Sequence, residues 1–200
     1  MTITLPTAQY ANLHFVTPQL AVGGDLDSHD DTLALLQLLE LTHLGVTHVV
    51  DARLEWSDER LVARRAPEIA YLHHGMDDAG QQVPASWFET AVSWIENAYA
   101  ADPHAVVLTH CHMGINRGPS LAYAVLLAQG LEPIEALATL RAARPQANTL
   151  YAADALHWHH QRLGVDAATA VAEQEALAAW RRDNPLDTLR LIREQRARGF

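Results

Sequence analysis

Between Ala105 and Ala128 the chain runs from a continuous aliphatic stretch, through one short loop, straight into a segment that is apolar on nearly every side. A strand without polar alternation has to be covered on both faces. A helix without a polar face belongs in a core. Together they demand a sheet sandwiched between helices, and the remaining patterns supply one. Leu13 to Val16 and Gln19 to Val22 read as short strands divided by Thr17-Pro18, with a turn at Gly23-Gly24. Asp30-Asp31 precede a helical period from Leu33 to Leu44 that stops at Gly45. Val46 to Val50, Ile69 to Leu72 and Ala105 to Thr109 read as buried strands, and Phe88, Ala91, Val92, Ile95 and Tyr99 recur at helical spacing within Trp87 to Tyr99. After the apolar helix Pro119 to Ala128, closed by Gly130, come helices over Pro133 to Ala143 and Thr149 to Leu163. The second of these is expected to be capped by Asn148 and ended by Gly164. Strands alternating with helices, followed by a run of helices, imply an α/β sandwich with a central sheet.

The 200 residues suit one domain, taken as 1–164, with a C-terminal helical extension over 165–200. That extension reads as two helices, the second opening at Asn184-Pro185 with proline at its first position. Its charges cancel, so it is expected to pack on the domain or to join two copies into a homodimer.

Charge narrows the function classes. The formal net charge is -10, and every one of the 14 basic residues is arginine. Nucleic acid and anionic membranes need a basic surface, so neither is an expected partner. A phosphate gripped by a side-chain cation must be gripped by arginine, whose planar fork binds in a bidentate manner. The single cysteine, Cys111, excludes a disulfide within the chain and fits a reducing, cytoplasmic setting. The start of the chain shows no signal-peptide pattern, and no stretch has the length to span a bilayer.

The chemistry concentrates in Val106-Val107-Leu108-Thr109-His110-Cys111-His112-Met113-Gly114-Ile115-Asn116-Arg117-Gly118-Pro119-Ser120. A buried strand feeding a glycine-containing loop and then a helix, expected to carry Pro119 at its first position, gathers backbone N–H groups at one point and aims a helix dipole at them. A tetrahedral phosphate fits such a nest formed by His112, Met113, Gly114, Ile115, Asn116 and Arg117. Cys111 stands at its mouth, where the dipoles and Arg117 favour the thiolate, the nucleophilic form. Arg117, six residues on, can fold back to hold two phosphate oxygens and to stabilise charge during in-line transfer.

His110-Cys111-x5-Arg117 resembles the signature of the protein tyrosine phosphatase superfamily, in particular its dual-specificity branch. Leu44-Gly45-Val46-Thr47-His48-Val49-Val50 and Arg144-Pro145 with Asn148 are similar to flanking segments of that family. The likeness runs from about Leu13 to Leu163. It implies an α/β fold with a central mixed, mostly parallel sheet flanked by helices. It also implies a phosphocysteine mechanism that hydrolyses phosphate monoesters, without metal or cofactor. The substrate would be a phosphorylated protein, bearing phosphotyrosine with phosphoserine or phosphothreonine as further options, or a small organic phosphate. The family's general acid, an aspartate on a separate loop, matches Asp78, with Asp77 as its neighbour; an alkoxide or phenoxide leaves readily only when protonated. Where the family usually places Ser or Thr after the arginine this chain has Gly118, with Ser120 two residues further on. That departure keeps open a catalytically weak phosphate-binding module. Thiol-cascade arsenate reduction needs additional cysteines, and sulfur transfer has no use for the aspartate. Phosphoinositide-directed relatives place basic residues in the loop, and none stands at the variable positions here.

Other residues have plainer readings. His110 is expected to support the loop rather than carry protons, and His112 to point outward. His157 and His160 share a helix face, whereas His159 does not, and no metal site is expected there.

Overall fold

The computed structural model describes residues 5–197. Five strands form one sheet in the order β1-β2-β5-β3-β4: β1 Leu13–Thr17, β2 Leu20–Gly23, β3 His48–Arg53, β4 Ala70–Met76 and β5 Val107–His110. β1 runs antiparallel to β2, and all other pairings are parallel. The helices are α1 Asp31–His43, α2 Glu59–Arg65, α3 Ala85–Ala101, α4 Arg117–Ala128, α5 Pro133–Ala143, α6 Ala152–Leu163, α7 Ala167–Asp183 and α8 Thr188–Ala197. The mixed, mostly parallel sheet expected from the sequence is the one that forms.

Side-chain alternation divides the core in two. Leu20, Val22, Val50, Ala52 and Val107 face a layer made by α3, α4, α5 and α6, whereas Ala21, Val49 and Leu108 face α1 and α2. Both faces are covered, which is why the strands read as unbroken apolar runs. The all-apolar α4 lies at the centre of the larger layer, with Leu121 through Leu127 buried. β5 sits between β2 and β3, pairing His110 with Gly23 on one side and with Asp51 on the other. In parallel sheets ligands collect beyond the carboxyl ends of the central strands, and this is where β5 delivers Cys111.

Several local expectations shift. α4 begins at Arg117 rather than Pro119. Proline in the first turn removes a donor that had no intrahelical acceptor anyway, so it constrains the start only loosely. α6 begins at Ala152, and Asn148 is not its cap; Asn148 donates instead from Nδ2 to Asn116 Oδ1 at 3.0 Å. α7 continues through Asp183, and α8 starts only at Thr188, where Asp187 accepts from the Arg190 amide at 2.9 Å. α2 has no counterpart in the sequence reading, because seven residues with one buried side chain, Val62, leave almost no period to detect. α7 lies against α5 and α6 and buries Leu177 in the larger core cluster. No helix among the described residues is long and apolar enough to cross a membrane.

Candidate active site

The loop between β5 and α4 holds its shape because its carbonyls are claimed from outside. The Asp25 amide donates to His112 O at 3.1 Å, and the amides of Asn148 and Thr149 donate to Ile115 O at 2.8 and 3.2 Å. Arg144 takes the two carbonyls between, donating from Nη2 to Met113 O at 3.0 Å and from Nε to Gly114 O at 2.7 Å. In a planar trans peptide the N–H points opposite to the carbonyl. Four consecutive carbonyls turned outward therefore turn the amides of Met113, Gly114, Ile115 and Asn116 inward, toward one centre. Gly114 adopts a φ of 63°, and a β-carbon there would collide with Arg144 and with the Gly23 backbone. The Gly23-Gly24 pair serves this approach as well, since a β-carbon on Gly23 would lie 2.6 Å from Asn12 O.

Arg144 is fully buried and has no carboxylate partner among the described residues. Its other donors reach His14 Nδ1 at 2.9 Å and Asn12 Oδ1 at 3.0 Å. Burial pushes its pKa down to about 10, opposed by the charge of Cys111. It remains a cation at neutral pH, and it sits directly behind the loop.

Cys111 is 2% exposed, and its amide reaches back to Gly23 O at 3.4 Å. It lines a pocket of about 150 Å³ together with Glu55, Asp78, His112, Met113, Ile115, Asn116, Arg117 and Ile192. Arg117 is held from its far side. Nη1 donates to Glu55 Oε2 at 2.7 Å and to Met76 O at 2.8 Å, and Nη2 donates to Glu55 Oε1 at 2.8 Å. Its Nε is buried without a hydrogen-bond partner among the described residues. Burial works against this cation, but the Glu55 hydrogen bonds and the charge of Cys111 prevail and raise its pKa. Glu55 is correspondingly held below the ordinary carboxylate range, first by its hydrogen bonds from Arg117.

Of the two neighbouring aspartates the pocket contains Asp78. Its carboxylate accepts from Tyr151 Oη at 2.9 Å and from Asn116 Nδ2 at 3.2 and 3.1 Å, and it lies 3.8 Å from Arg117 Nε. Asp77 contributes its backbone carbonyl to Gln81 Nε2 at 2.7 Å and is not among the pocket-lining residues.

Beneath the loop lies a buried charge cluster. Arg53 donates to both oxygens of Asp51 at 2.8 Å, to Asp58 at 2.7 Å and to Asp25 at 3.1 Å. Tyr71 Oη adds a bond of 2.6 Å to Asp51. Burial disfavours the Asp51 carboxylate, but these donors prevail and bring its pKa down to about 2. His110 is buried 3.7 Å from Asp51, and burial lowers its pKa, keeping the ring neutral. Its Nδ1 has no partner among the described residues. His112, at the pocket wall, donates from Nδ1 to Asp25 Oδ2 at 2.9 Å and lies edge-on to Trp56. Ser120, two residues beyond Gly118, has its hydroxyl engaged locally. It donates to Asn116 O at 2.8 Å and accepts from the Tyr151 amide at 3.0 Å.

The geometry joins a buried cysteine, a ring of inward amides and an arginine whose Nε has no hydrogen-bond partner among the described residues. A family model described as the dual specificity phosphatase catalytic domain matches residues 32–153, well over half of the chain. The chain belongs to that family. It is thus a phosphatase-type member of the protein tyrosine phosphatase superfamily. Solved structures agree on the fold. Human DUSP28 is 21% identical with a TM-score of 0.62, covering 80% of this chain and 99% of its own. A mouse putative dual specificity phosphatase is 22% identical with a TM-score of 0.62, covering 79% and 94%. Tk-PTP in its active form is 23% identical with a TM-score of 0.60, covering 76% and 97%.

Sequence reading missed Glu55, Tyr151 and the Arg53 cluster. Each reaches the site from far along the chain, with no local motif to mark it. A faint signal existed in Asp51-Ala52-Arg53, charged residues at the end of an apolar strand, where burial requires a partner. The histidines of α6 also acquire partners that spacing hid: His160 Nε2 lies 2.7 Å from Glu173 on α7, and His157 pairs with Gln161 at 2.9 Å.

Proposed function

We propose that this chain hydrolyses phosphate monoesters through a phosphocysteine intermediate, with phosphotyrosine or a small organic phosphate as substrate. The observation that carries the reading is the unpartnered Arg117 Nε beside inward loop amides at a buried cysteine. An incoming phosphate supplies the acceptors these donors lack. The Cys111 thiolate attacks phosphorus in line, forming the S–P bond as the P–O bond breaks, and Asp78 gives its proton to the departing oxygen. Asp78 then takes a proton from water as the water attacks phosphorus, the S–P bond breaks and the thiolate is restored. Arg117 and the amides hold the equatorial oxygens through both steps.

A second reading, slow turnover with strong phosphate retention, is favoured by Gly118 and by the engagement of the Ser120 hydroxyl. Both readings are tested with 4-nitrophenyl phosphate. Hydrolysis by the full chain, abolished in Cys111→Ser, supports the first. A stoichiometric burst followed by a slow steady state supports the second. Absence of hydrolysis, together with no protection of Cys111 by vanadate against iodoacetate, removes both.

A further inference from the structure

α8 lies beyond the span matched by the family model, yet one of its side chains stands in the pocket. Thr188, Leu191 and Ile192 are half-buried at helical spacing while Leu189 on the opposite side is 69% exposed, so α8 presents one face to the fold. Ile192 lines the same cavity as Cys111 and Arg117. The cavity it helps enclose holds about 150 Å³, below the roughly 300 to 1,000 Å³ typical of ligand pockets. α8 otherwise makes only sparse contact with the other helices and strands.

We propose that Ile192 is a specificity-determining residue of this site, an apolar wall that accepts the ring of a small aryl phosphomonoester and excludes a phosphorylated polypeptide while α8 is docked. This rests on the phosphatase reading given above. A flat ring on the ester oxygen meets the apolar wall that Ile192 supplies, a contact a hydroxyalkyl phosphate cannot make to the same extent. A phosphotyrosine within a peptide carries chain on both sides of the residue, and that chain collides with the docked helix.

The test uses the full chain with Ile192→Ala, Ile192→Glu and Asp187→Ala. The last removes the carboxylate that accepts from the Arg190 amide at the start of α8 and leaves the pocket side chains in place. For 4-nitrophenyl phosphate, Ile192→Ala is expected to raise KM about 3- to 10-fold with kcat little changed. For a phosphotyrosyl peptide, all three variants are expected to gain in kcat/KM. Since Cys111 is the sole cysteine, its alkylation by N-ethylmaleimide reads the same cap without turnover, and it is expected to accelerate severalfold in every variant. If wild type hydrolyses aryl phosphate but neither the aryl-to-peptide ratio nor alkylation changes, the role of Ile192 is overturned and the phosphatase reading stands. If wild type hydrolyses nothing, that reading fails; unchanged alkylation then overturns the cap as well, and acceleration supports it.

Discussion

Arg117 and Arg144 have the same side chain and opposite duties, set by what each one touches. Arg144 spends its donors on the backs of the loop peptides, so its removal strips Met113 O and Gly114 O of partners inside a sealed region. Leaving buried carbonyls unpaired costs about 1–3 kcal/mol each. Arg144→Met is therefore expected to lower unfolding free energy in urea by about 2–6 kcal/mol and to abolish vanadate protection of Cys111. Glu55 acts on the other arginine. Its carboxylate is partly exposed and fixes both terminal nitrogens of Arg117, leaving Nε for the anion. Glu55→Gln keeps the shape but not the charge-assisted bonds, which are roughly twice as strong as neutral ones. Aryl phosphate kcat/KM is expected to fall about tenfold, with the melting temperature nearly unchanged. A larger loss in the melting temperature than in activity would contradict a positioning role.

The junction of β5 with α4 is tight at position 118. A β-carbon on Gly118 would lie 3.0 Å from His110 Cα and carbonyl carbon, both of them backbone atoms that yield little. A side chain there requires the strand end to give by a few tenths of an ångström. Gly118→Ser, which restores the usual hydroxyl, is expected to destabilise the fold by about 1–3 kcal/mol through overpacking and not to speed turnover, as calorimetry and burst kinetics would show. At the far end of the site α6 starts at Ala152 because Thr149, at φ 53°, and its neighbours are bent back to feed their amides to Ile115 O. The Asn148 side chain is thereby drawn to Asn116 and lost to helix capping. A capping preference read along the chain is overridden by a tertiary hydrogen bond of similar strength.

For the molecule as a whole the buried charge cluster contributes to the dependence of stability on pH, beside His14, His48 and His159, whose pKa values burial also lowers. His110 has its folded pKa depressed, so the unfolded chain takes up a proton that the folded one refuses, and stability falls as pH drops below about 6.5. Asp51 has a folded pKa of about 2, below its ordinary value of 3.8. Its contribution, about 2 kcal/mol, is complete above pH 4 and disappears as pH falls toward 2. Urea unfolding at pH 7.5, 5.5 and 3 is expected to show two successive losses, the first made smaller by His110→Asn and the second by Asp51→Asn. The division between what sequence and tertiary structure decide follows from range. Residues 105–130 specified a buried strand, an anion loop and a core helix, because apolar period, glycine and the Cys111 to Arg117 spacing are local properties of the chain. The partners that orient those groups, Glu55 for Arg117, Tyr151 for Asp78, Arg144 for the loop carbonyls and Ile192 for the pocket wall, stand between 30 and 81 residues away. No periodicity carries across such separations. Only the parallel order of the strands and the packing of the helices bring these side chains within hydrogen-bonding or contact distance, and so they were decided by the fold.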